Sequence, residues 1–204
     1  GVRDHNGLST LVRIAPPYDN WNLISEVLVL PFGKDLFDID ISPDGEHLTG
    51  SIIEVTGRQR LVRMEIAKLL AGESPYEVLY EFADYSPANF VYSQDGRYLY
   101  GTSYYSGVSN IFRYDFETKA VEPLTAYADF DVQQPSTDGQ RVVFLRAGWL
   151  HLMDPATGRV HTSFNRNKGN WVSPDEIRRW AEQGYQTAHC HNDGDYYDDG
   201  LFWR

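Results

Sequence analysis

The stretch SPDGEHLTGSI, Ser42 to Ile52, decides how the chain is read, because it occurs three times in related form. SQDGRYLYGTS begins at Ser93 and STDGQRVVFLR begins at Ser136. Each reads Ser-x-Asp-Gly, then two polar or mixed residues, then a run rich in strand-forming residues. Asp-Gly between two such runs predicts a hairpin, since glycine takes φ > 0 without a Cβ penalty. The serine and the aspartate predict local bonds to backbone N–H groups. The three glycines, Gly45, Gly96 and Gly139, stand 51 and 43 residues apart. A period of that size with strands on both sides is the mark of a propeller blade.

Working outward, each unit divides into four strands. The first is LFDIDIS, HLTGSIIEV, RLVRMEI and YEVLYEF; the second is ANFVYS, YLYGTSYY, NIFRYDF and AVEPLT. The third is DVQQPS, RVVFLR, WLHLMD and RVHTSF. DFETK from Asp115 and DPATG from Asp154 occupy the same turn between third and fourth strands. Upstream, STLVRIAPPY and ISEVLVLPFG read as the third and fourth strands of a partial unit. The expected fold is mainly β: about three and a half blades of four antiparallel strands over residues 1–165, followed by a C-terminal helix–strand segment over 166–204. A β-sandwich with coincidental Asp-Gly turns is the alternative.

From Val12 to Phe164 the chain resembles the TolB-like, or PD40, β-propeller repeats, a WD40-like class. ISPDGEHLTG, YSQDGRYLYG and YDFETKAVEPLT carry the resemblance. The third unit resembles blades of the tricorn-protease type. This resemblance implies a propeller that binds a partner, and an exported, bacterial periplasmic setting. Closed propellers take about 4–8 blades. The expectation is therefore that the chain is part of a longer polypeptide, omits segments, closes with another copy, or joins two propeller sequences near Thr125.

Composition narrows the partners. A net charge of −11 over 204 residues repels nucleic-acid phosphates and anionic membranes. No apolar run approaches the ~18 residues of a membrane-crossing helix, and no signal-peptide pattern opens the chain. Aromatic residues make up 14%, including 14 tyrosines, which favours sheet and supplies contact surface. Tyr104, Tyr105 and Tyr127 are the candidate binding residues on the propeller face, with core and blade-edge packing as the plainer role. Asp38 and Asp40, alternating along one strand, are expected at a rim or channel. The single cysteine, Cys190, reads as a buried thiol and cannot form an internal disulfide.

After NRNKGN the pattern changes. Ser173 as N-cap, Pro174 at the first helical position and Glu176 two residues later predict a helix over Pro174–Gln183, ended by Gly184. Ile177, Trp180 and Ala181 form its apolar face. YQTAHCH, Tyr185 to His191, reads as a short strand. Helix, glycine and strand resemble one unit of a TIM-barrel hydrolase, in which chemistry sits at strand C-termini. His189, His191 and Asp193 alternate along that strand and could converge on zinc or another divalent metal, as in amidohydrolase HxH sites. Gly194 replaces the further histidine of a β-lactamase-type HxHxDH pattern, and Asp193, Asp195, Asp198 and Asp199 do not complete a calcium loop. The preferred reading is a solvated acidic loop without a cofactor. No G-x-S-x-G elbow, P-loop or dinucleotide fingerprint occurs. The expectation is a binding or scaffold module for a protein, peptide or glycan. The alternative is a fragment of a propeller-associated hydrolase, peptidase- or amidohydrolase-like.

Overall fold

The computed structural model describes residues 1–73, 76–82, 85–138, 140–165, 186–188 and 201–203. Strands β1 (Val2–His5), β2 (Leu8–Ile14) and β3 (Ile24–Val29) form a three-stranded antiparallel sheet, blade I. Blade II holds β4 (Lys34–Ile41), β5 (His47–Glu54), β6 (Gln59–Glu65) and β7 (Glu77–Glu81) in sequential order. Blade III holds β8 (Pro87–Tyr92), β9 (Tyr98–Ser103), β10 (Asn110–Asp115) and β11 (Ala120–Pro123). Blade IV holds β12 (Val132–Thr137), β13 (Val142–Arg146), β14 (Trp149–Asp154) and β15 (Arg159–Asn165). A small hairpin follows, β16 (Gln186–Ala188) with β17 (Leu201–Trp203), and β17 lies against β15. The expected four-stranded units are present. The opening unit has one strand more than expected, because β1 pairs with β2. A short helix, α1 (Ile66–Leu70), which the sequence reading omitted, fills the β6–β7 connection.

The Asp-Gly turns show why β4 and β8 double back. Gly45 and Gly96 have φ of 74° and 71°, a conformation other residues rarely adopt. Ser42 Oγ donates to Asp44 Oδ1 at 2.5 Å and accepts His47 N–H at 2.9 Å. Ser93 does the same with Asp95 and Tyr98 at 2.5 and 2.9 Å. Both serines are buried. The third turn departs from this pattern. Thr137 pairs with Val142, so the hairpin closes more tightly and Ser136 is exposed. There Asp138 Oδ1 accepts the N–H groups of Gln140 and Arg141. Gly139 lies outside the described residues. The expected equivalence of DFETK and DPATG is observed: Lys119 N–H reaches Asp115 O and Gly158 N–H reaches Asp154 O, each at 2.8 Å.

Each complete blade also carries a bulge in its first strand that no sequence pattern announced. Asp38, Asn89 and Gln134 sit there with φ of 52°, 53° and 49°. The bulges coincide with the contact between blades. Asp38 Oδ2 accepts Asn89 N–H at 2.9 Å, and Asp40 Oδ2 accepts Tyr92 N–H at 2.8 Å. The aspartates expected at a rim or channel therefore join blade II to blade III.

The core consists of layers between blades. Leu11 and Leu28 of blade I meet Leu36, Leu48, Ile52, Val62 and Met64 of blade II. Leu61 and Leu79 meet Phe90, Leu99, Phe112 and Tyr114 between II and III. Tyr100 and Ile111 meet Val132, Val142, Phe144 and Met153 between III and IV. Alternation along each strand sends neighbouring residues to opposite layers.

Candidate functional site

In an antiparallel blade, the start of the first strand and the end of the second share one end. The loops entering each blade and the loops joining second to third strands therefore gather on one face. Val55 N–H donating to Gly33 O at 2.9 Å ties two such loops together. This loop face carries the large apolar side chains Phe32 and Val55, 85% and 82% exposed, with Tyr85, Tyr104, Tyr105 and Phe130 also exposed. Large contiguous exposed apolar patches mark interaction sites more often than scattered apolar side chains do.

The tyrosines are held in defined positions. Tyr104 Oη donates to Asp131 Oδ2 at 2.9 Å, and the carboxylate raises the phenol's pKa above its ordinary value. Asp131 Oδ1 in turn accepts Ser109 N–H at 2.9 Å. Tyr105 meets Tyr85 edge to face at 5.5 Å. Tyr127 is half-buried, with the Arg146 guanidinium 3.9 Å from its ring centroid. Arg146 also pairs with Asp129 and holds that carboxyl below its usual range. Asn110, fully buried, fixes the Tyr127 backbone from below: Oδ1 accepts Tyr127 N–H at 2.8 Å and Nδ2 donates to Tyr127 O at 3.0 Å. Tyr104 and Tyr105 thus face solvent, while Tyr127 supports the arginine above it.

The opposite end bears a different cluster. Asp44, Glu46 and His47 bring one ligand atom each within 4.8 Å of one another at the β4–β5 turn. Asp44 Oδ1 is already engaged by Ser42 Oγ and Glu46 N–H, which hold the carboxyl below its ordinary pKa. Sequence reasoning placed Asp44 and Glu46 in the turn and His47 at the start of the following strand, and the turn bonds of Asp44 and His47 hold them there. Beside them is a cleft of about 250 Å³ lined by His47, Arg63, Glu65, Lys68 and Tyr76. Its charges pair internally, Arg63 with Glu77 and Lys68 with Glu65, each at 2.7 Å. The candidate metal ligands of the tail, His189, His191 and Asp193, lie outside the described residues, as does Cys190.

No family model matches the chain. Over 57 residues it is 35% identical to a tricorn protease homolog of Saccharolobus solfataricus, covering 28% of this chain and 5% of that protein. TolB from Acinetobacter baumannii superposes with a TM-score of 0.62 at 18% identity, over 80% of this chain and 40% of its own. Tricorn protease superposes with a TM-score of 0.55 at 16% identity, over 82% of this chain and 15% of its own. The sheets are β-propeller blades of the TolB and tricorn type. At these identities the TolB-type likeness is one of fold, and propeller folds host many functions. The chain spans less than half the length of each of these relatives. Among the described residues, no helix of these TolB-type blades is long and apolar enough to cross a membrane.

Proposed function

We propose that the chain is a propeller binding module that holds a protein or peptide on its loop face. The observation that carries this reading is the group of exposed apolar side chains there, Phe32, Val55, Tyr85, Tyr104, Tyr105 and Phe130. Tyrosines with fixed rings lose little entropy on contact and dominate many interfaces. A displayed random-peptide library panned on the full chain supplies the probe. For the selected peptide, Tyr104→Ala with Tyr105→Ala is expected to weaken binding about thirtyfold, the ~2 kcal/mol of an interface anchor. Tyr18→Ala, on the β2–β3 connection, should leave binding unchanged. Equal affinity in the loop-face variant overturns the reading, as does selection of glycans alone from a glycan array.

A second reading is favoured by the 57-residue match to a tricorn protease homolog. In it the blades support a peptidase- or amidohydrolase-like domain, and His189, His191 and Asp193 hold zinc or another divalent ion. Metal analysis of the purified chain tests the ligands. Less than about a tenth of an equivalent of metal, with a melting temperature unchanged by chelator, removes this reading, because a bound ion stabilises by mass action.

A further inference from the structure

The far side of blade IV has a composition its siblings lack. In each complete blade, the cross-strand pairs of the second and third strands that point toward the following blade include two at matched central positions. In blade II they are Thr49 with Arg63 and Ser51 with Leu61. In blade III they are Tyr100 with Arg113 and Thr102 with Ile111. The arginines answer to the next blade: Arg63 lies 4.9 Å from the Phe116 ring centroid, and Arg113 Nη1 donates to Pro155 O at 3.4 Å. In blade IV the same positions hold Val143 with Leu152 and Leu145 with Leu150. Their strand neighbours Val142, Phe144, His151 and Met153 face blade III, so these four point away from it. The hydroxyl and arginine positions of these two pairs are aliphatic here, with Ser136 and His161 beside them on the outer strands.

The chain's own path indicates what covers this face. β15 ends at Asn165, and the hairpin that begins at Gln186 has its second strand against β15. Twenty residues separate Asn165 from Gln186, and the hairpin that follows them lies against the strand that precedes them. They contain the helix read from sequence over Pro174–Gln183, whose apolar stripe is Ile177, Trp180 and Ala181. A ten-residue helix is about 15 Å long, close to the ~17 Å of a five-residue strand. Its stripe offers no charge, and the four central side chains of the face, Val143, Leu145, Leu150 and Leu152, require none.

We propose that the far face of blade IV is the docking surface for the amphipathic segment Pro174–Gln183 of the same chain. The segment then occupies the position that a following blade occupies on blades II and III. In this arrangement the propeller wall ends in a helix on that side, and β16–β17 is fixed as its return.

Disulfide trapping in the full chain tests this, in a Cys190→Ser background. Leu152→Cys with Ile177→Cys should oxidise within one chain at least about tenfold faster than Val55→Cys with Ile177→Cys, whose first position is on the loop face. Crosslinks mainly between chains would mean that a second copy covers the face and would overturn the proposal; so would equal rates for the two pairs. Hydrogen exchange on the unsubstituted chain guards against misfolded variants. Amides of Ile177–Ala181 should exchange at least about tenfold more slowly than a free peptide of that sequence. Leu152→Glu should abolish that protection while β5 stays protected. Free-peptide exchange in the unsubstituted chain overturns the assignment.

Discussion

Gly101 and His151 show how much single side chains settle between blades. A Cβ on Gly101 would fall inside van der Waals contact of three ring carbons of Phe90. The same site on Gly50 meets the flexible end of Leu36. Gly101→Ala is therefore expected to cost about 1–3 kcal/mol by overpacking, and Gly50→Ala less; urea midpoints of the two variants check the order. Five residues after the turn glycine, where blades II and III have these glycines, blade IV has Phe144, and the buried His151 ring stacks on it at 5.0 Å and 10°. Burial holds the His151 imidazole below its ordinary pKa of 6.5. The unfolded chain takes up a proton there that the folded chain resists. Stability is therefore unaffected by this group above pH about 6.5 and falls as pH drops below it, toward the folded value. His151→Phe removes that slope. Melting temperatures of the two proteins from pH 8 to pH 5 should diverge in favour of the variant, and parallel curves would show that the ring is not the source.

The hairpin between first and second strands shows where a repeat in sequence stops being a repeat in structure. Ser42 and Ser93 close their turns with a donated and an accepted bond, whereas Ser136, in the same place by alignment, is exposed. Ser42→Ala and Ser93→Ala should each cost about 1–2 kcal/mol, because a part-buried N–H loses its acceptor, while Ser136→Ala should lie within about 0.5 kcal/mol of the native chain. Denaturant midpoints of the three variants separate them. The turns were legible because Asp-Gly specifies a local backbone conformation. The two-residue shift of the third hairpin was not, because register is set by the faces of β12 and β13 that pack on blade III. The loop face was legible only in part. Tyr104 and Tyr105 could be named from residue type, but Phe32 and Val55 lie far apart in sequence and meet only when loops of the same end gather.

Across the whole molecule, the core is a series of interfaces between neighbouring blades. Stability in such an array is approximately a sum of unit and nearest-neighbour terms. Phe144→Ala should cost about 3–5 kcal/mol at the boundary of blades III and IV. Hydrogen exchange should then quicken in β13 and β14 while β5 amides keep their protection. Leu61→Ala should instead loosen blades II and III. Uniform loosening of all blades by either variant would show that the sheets unfold as one unit.

Strand periodicity, Asp-Gly turns and their spacing were enough to establish the four-stranded blade and its repetition, since each depends on residues close in sequence. The additional strand β1 and the helix α1 escaped because short segments carry little periodic signal. The bulges at Asp38, Asn89 and Gln134 have no common residue type. Two of them, at Asp38 and Asn89, meet where a blade II carboxylate accepts a blade III N–H group. Which aspartates bind backbone and which tyrosine supports an arginine were decided by tertiary structure. Those properties belong to pairs of residues some 20 to 50 positions apart, and only the stacking of blades brings them together.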